Sequence, residues 1–140
     1  MRRIVFHAAL SSALIAGSAA AQNLEPAGRE GRTLFAIDLG NTSRTDAGQV
    51  QTVLYEVADR PTPQRRYALL AATYDCEARS RSVHIREEFS GLRDPVKTVY
   101  RPPVVTSASQ SPAVAAQLRI VCGDPRPPGT MDLTTFLRMR

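Results

Sequence analysis

His84 is where a search for chemistry in this sequence begins: it is one of two histidines, and the other, His7, lies in an apolar N-terminal run. A Ser–His–Asp or Cys–His site needs an imidazole beside a presented nucleophile. The sequence holds no Gly-x-Ser-x-Gly elbow, and its two cysteines, Cys76 and Cys122, are more economically paired with each other. His84 therefore reads as an exposed strand histidine. One histidine and two oxidised cysteines make no zinc site either. Glu87 and Glu88 are adjacent carboxylates, but neighbours on a strand point to opposite faces and cannot flank one substrate. Asp75 reads as a turn-stabilising carboxylate or as a partner of Arg79 or Arg81. The segment GNTSRTDAG, 40–48, resembles no phosphate-binding loop. The expectation is a chain with no catalytic residue, no metal and no cofactor.

Cysteine pairing and charge are more informative. Arg2 and Arg3, the apolar run Ile4 to Ala16 and the small-residue site Ala19-Ala20-Ala21 have the form of a secretory signal peptide cleaved after Ala21. The run is too short, and too polar at Ser11 and Ser12, for the roughly 20 apolar residues of an anchor. No cysteine follows the cleavage site to take a lipid. Both cysteines lie in the exported part, periplasmic or extracellular, where an even pair reads as a disulfide. Closing a loop between positions 46 apart, the bridge is worth about 4 kcal/mol in the chain-entropy model. The formal charge of +5 falls to +3 once Arg2 and Arg3 leave, too little to suggest nucleic acid. Arg65, Arg66, Arg79, Arg81 and Arg86 gather around one hairpin, with Glu77, Glu87 and Glu88 among them. They read as a mixed solvated surface, and as the best basic candidate for meeting an acidic partner.

The positioning elements follow from periodicity. Residues 22–32 are polar and aperiodic and read as a flexible leader. Strands are predicted over 33–38 and 49–57, joined by the turn-rich 39–48, then over 66–76 and 81–89 as a second hairpin. In the third strand Ala68, Leu70, Ala72, Tyr74 and Cys76 share one face, with the alanines leaving room for a helix. In the fourth, Val83, Ile85 and Phe89 share a face. A fifth strand covers 96–101 and stops at Pro102-Pro103, with a short sixth piece at 104–106. Ser111 to Gly123 is the one well-marked helix, with Ser111 as N-cap, Pro112 at N1 and Gly123 after its end. Val114, Leu118, Val121 and Cys122 form its apolar stripe. The Pro-rich 124–130 is a linker, and 131–140 can form a short helix behind Asp132 with Leu133, Phe136 and Leu137 on one face. The domain proper is thus placed at 33–123, with 124–140 as its tail.

This order resembles the surface-adhesin protein E-like family of proteobacterial exported proteins. The likeness rests on the first strand running through Asp38 into a turn with Ser43, on Asp75-Cys76 closing a strand, and on a Ser-led helix ending in Cys122. It implies an α+β domain: an antiparallel sheet of five to six strands with a C-terminal helix tied to one face by Cys76–Cys122. It also implies a protein-binding or adhesin-like module, with an unknown protein or envelope component as partner. A structural or stress-related envelope accessory protein is the alternative, and a small-ligand carrier using the space between helix and sheet a third reading. The lipid-attachment cysteine and a tryptophan common in the family are missing here. Non-reducing mass spectrometry of the exported chain should find no free thiol; two alkylatable thiols would sink the disulfide.

Overall fold

The computed structural model describes residues 23–58, 61–63, 65–91, 94–123 and 131–139. The expected signal peptide and the Pro-rich linker 124–130 lie outside them. The elements are β1 (Leu24–Glu30), β2 (Thr33–Asp38), β3 (Ser43–Arg44), β4 (Val50–Val57), β5 (Tyr67–Asp75), β6 (Ser80–Phe89), β7 (Lys97–Ser107), α1 (Pro112–Val121) and α2 (Leu133–Leu137). The strands form one antiparallel sheet in the order β1-β2-β4-β5-β6-β7, and β3 pairs with β4 where β2 has ended.

The sheet is apolar on both faces, and that follows from its central strands. Alternation in β5 sends Leu70, Ala72 and Tyr74 to one side and Tyr67 and Leu69 to the other. The chain answers with one helix per face. α1 starts where Ser111 Oγ accepts the Val114 N–H at 3.2 Å, with Pro112 in the first turn. It buries Val114, Leu118 and Val121 against Phe35, Ile37 and Leu54. Its end is fixed by Cys76–Cys122, Cα–Cα 5.7 Å, and by Gly123, where any Cβ would collide with the Arg119 carbonyl oxygen. On the other face α2 buries Leu133 and Phe136 among Tyr55, Tyr67 and Phe89, whose rings stack with centroids 6.4 and 5.0 Å apart.

Four expectations are corrected. Residues read as a flexible leader form β1, an integral strand whose Leu24 and Ala27 are buried on opposite faces. An extra residue between Pro26 and Arg29 breaks its register, and that break hid the strand. Second, the closest approach of α1 is to β1, not to the alanines of β5. Gly28 (φ +91°) has room for no side chain, since a Cβ there would lie 3.0 Å from Ala116 Cβ and 3.1 Å from Ala113 Cα. Third, Pro102-Pro103 does not stop the fifth strand; Lys97–Ser107 is continuous, because prolines are tolerated at a sheet edge and this is one. Fourth, a register shift between Val83 and Ile85 makes His84 a bulge. Val83 then packs toward α1, while Ile85 turns to the opposite face with Ala71.

Residues 131–139 of the tail belong to the fold. Asp132 caps α2, accepting from Thr135 N at 2.6 Å, and Leu24 N donates to Met131 O at 3.0 Å. Phe136→Ala should cost about 3 kcal/mol in urea unfolding. An unchanged midpoint would mean that α2 is not part of the core.

Candidate functional site

The residues singled out from sequence are placed as follows. Asp75 caps the β5–β6 turn, accepting from Ala78 N at 2.8 Å; in that turn Arg79 takes φ 52°. Glu87 and Glu88 point to opposite faces, as strand geometry requires. The five arginines do not make one patch. Arg65 and Arg66 precede β5, whereas Arg79 lies in the turn beyond its other end. Arg86 is held by Glu56 at 2.8 Å and Glu88 at 3.2 Å, with Arg65 3.6 Å from Glu88. Ala68, paired in register with both Glu56 and Glu88, gives this cluster its space. Arg81 reaches under α1, donating from Nη1 to Gln117 Oε1 at 2.9 Å. Its guanidinium carbon lies 5.8 Å from the Phe35 ring centre. Tyr74 donates to the same Gln117 oxygen at 3.0 Å.

The electrostatics separate the two glutamates. Burial opposes ionisation of Glu88, but the Arg86 hydrogen bond and the charges of Arg86, Arg65 and Lys97 outweigh it and hold its pKa below 4.5. Burial is also the largest influence on Arg86, and the bonds to Glu56 and Glu88 overcome it to keep the guanidinium charged. Glu87 has no such partner among the described residues: it is 6% exposed, Oε2 is buried with no hydrogen bond, and burial raises its pKa. Burial likewise drives Tyr67 up to about 12, with Arg66 opposing.

What sequence reasoning missed is the edge. β7 pairs with β6 on one side and, among the described residues, with no strand on the other. It and the residue before it carry Val96, Tyr100, Val104 and Val105, between 54% and 68% exposed. Met139, at 42%, is the only other exposed large apolar side chain among the described residues. Reading 96–106 as two interrupted pieces concealed this, although VKTVYRPPVVT was visible as an apolar, β-branched run without an acid. Two shallow grooves flank the bulge at His84. On the α1 face, about 210 Å³ is lined by Arg81, Arg86, Arg101, Val83, Val99 and Val104. On the α2 face, about 230 Å³ has a floor of Val53, Ala71 and Ile85 and a rim including Asn41, Gln51 and Thr73. Asp38 at that rim is already engaged, accepting from Gly40 N at 3.0 Å and Asn41 Nδ2 at 2.7 Å.

No protein-family model, curated protein or solved structure matches this chain. Among the described residues no cluster of three or more His, Cys, Asp or Glu side chains could hold a metal ion.

The glutamates give opposite pH dependences. A raised native pKa means that the folded state binds the proton more readily, so Glu87 costs stability as pH rises through 4.5 and above. Glu87→Gln should raise the melting temperature at pH 7, and the gain should vanish below pH 4. Equal gains at both pH values would show that Glu87 ionisation is not the cause.

Proposed function

We propose that this chain is an exported, non-enzymatic binding module that captures an extended polypeptide at the free edge of β7. The observation that carries this reading is the concentration of exposed apolar surface on one edge strand. Val96, Tyr100, Val104 and Val105 are in the open on a molecule whose other large apolar groups are mostly buried. An unpaired edge offers backbone donors and acceptors to an incoming strand, and side-chain pockets then select its sequence.

The ladder identifies which groups are on offer. In an antiparallel pair, bonded and non-bonded residue pairs alternate. Ala108 N donates to Arg79 O at 2.9 Å, so the next bonded pairs in register are Arg81–Thr106 and Val83–Val104. Val105, between them, turns its N–H and C=O outward. Ser107 N is already capped by Gln110 Oε1 at 3.0 Å, and Pro103 has only a carbonyl to give. The edge is thus a short clamp centred on Val105. The likeness of 33–123 to the adhesin-E-like family supports the same reading, as does a disulfide suited to an oxidising compartment. The α2-face groove favours a second reading, a carrier for a small, largely apolar ligand.

Peptides selected by display against the immobilised chain test the two. Val105→Pro removes one outward donor and none from the β6 ladder, so it should weaken the selected peptides by about tenfold. Undiminished binding to Val105→Pro, with NMR perturbations at Val53, Ala71 and Ile85, would replace edge capture by the carrier.

A further inference from the structure

We infer that the strand captured by β7 is acidic, bearing carboxylates that Arg101 and Arg81 receive on the α1 face. This rests on the edge-capture reading above and names its partner.

The geometry decides where partner side chains fall. A residue placed opposite Val105 projects to the same face as Val105, the α2 face. Its two neighbours then project to the α1 face, beside Val104 and Thr106. That is where the groove with Arg81, Arg86 and Arg101 opens.

The charges there are unbalanced. β7 reads KTVYRPPVVTS, two cations and no acid. Lys97 stands opposite Glu88 in the ladder, and Arg86 is spent on Glu56 and Glu88. Arg101 is exposed and has no acidic partner among the described residues. Arg81 is held by an amide and an aromatic ring, neither of which carries net charge, and its Nε is buried without an acceptor. Two positive charges are therefore left uncompensated beside an apolar floor of Val83, Val99 and Val104. A glutamate side chain matches both features, its methylenes on the valines and its carboxylate toward the arginines. The fitting segment alternates acidic, apolar, acidic. A second copy of β7 brings no carboxylate. β1, the sheet's other edge, is partly occupied by the Leu24–Met131 bridge.

Fluorescence anisotropy at low salt tests this with the exported, oxidised chain. The probes are a labelled Ser-Glu-Val-Glu-Ser peptide, its Gln-for-Glu analogue, and the acidic peptide N-methylated at its valine. The acidic peptide should bind about tenfold tighter than the Gln analogue, and Arg101→Glu should erase that preference. N-methylation and Val105→Pro should weaken binding whichever charge is present. Circular dichroism and thiol assays keep both variants comparable with the wild-type fold. Equal affinity for the acidic and Gln peptides, both lost in Val105→Pro, overturns the acidic partner and leaves edge capture standing. Acidic binding that ignores N-methylation is bare ionic attraction and overturns the proposal. No binding by any peptide to the wild-type chain overturns edge capture itself. Concentration-dependent association of the chain alone, abolished by Val105→Pro, would make a second copy the occupant and overturn it too.

Discussion

A single sheet whose central strands are apolar on both sides must be covered twice, and that constraint governs the molecule. Tyr67 and Leu69 on one face and Leu70, Ala72 and Tyr74 on the other belong to the same strand. Leaving either set in water would forfeit roughly 2 kcal/mol per large side chain. The chain has only two α-helices among the described residues to do the covering, one of ten residues and one of five. They close the sheet over its central strands and β1. The β6–β7 side is left partly open, and it holds both the α1-face groove and the exposed valines.

The disulfide and the glycine approach hold α1 from opposite flanks. Cys122 ties the helix end to the β5–β6 turn, while Gly28 lets Ala113 and Ala116 sit directly on β1. A loop closure of about 4 kcal/mol is a large part of the 5–15 kcal/mol by which a domain of this size is stable. The buried polar groups beneath α1 depend on that placement. Gln117 accepts from both Tyr74 and Arg81 only because the helix is held over β5 and β6. The lock on the helix thereby also determines where the Arg81 charge is fixed.

Much of the fold was legible because alternation and capping are local signals. β5, β4, the Ser111-capped helix, the cysteine pair and the Asp132-capped tail helix could all be read directly. The misread strands share one cause, a break in the two-residue period. The extra residue near Gly28 scrambled β1, and the bulge at His84 moved Val83 and Ile85 to different faces. Pro102-Pro103 read as a terminus when it was a feature of an edge. The arginine patch failed for a different reason: sequence proximity along a hairpin of nine- and ten-residue strands spans the length of the sheet. Which arginines are neutralised depends on Glu56, thirty positions from Arg86, and no local pattern announces that pairing.

The same edge carries both invitation and restraint, and the balance between them bears on how it works. Long apolar edges are ordinarily blunted by proline, charge or bulges, since they pair indiscriminately. β7 has all three, but none beyond its middle: Lys97 stands at its start, and Arg101, Pro102-Pro103 and the shift opposite His84 interrupt its centre. If protection alone had shaped the strand, Val104 and Val105 would be the residues to replace with polar ones, and they are instead the exposed pair next to the interruption. The prolines shorten the usable ladder to the few residues around Val105, too few for backbone bonds alone to hold a partner tightly. Side-chain recognition must then supply the rest, and the uncompensated arginines lie within reach of that short ladder. An edge built this way rejects generic strands for lack of length and admits one whose charge complements the groove.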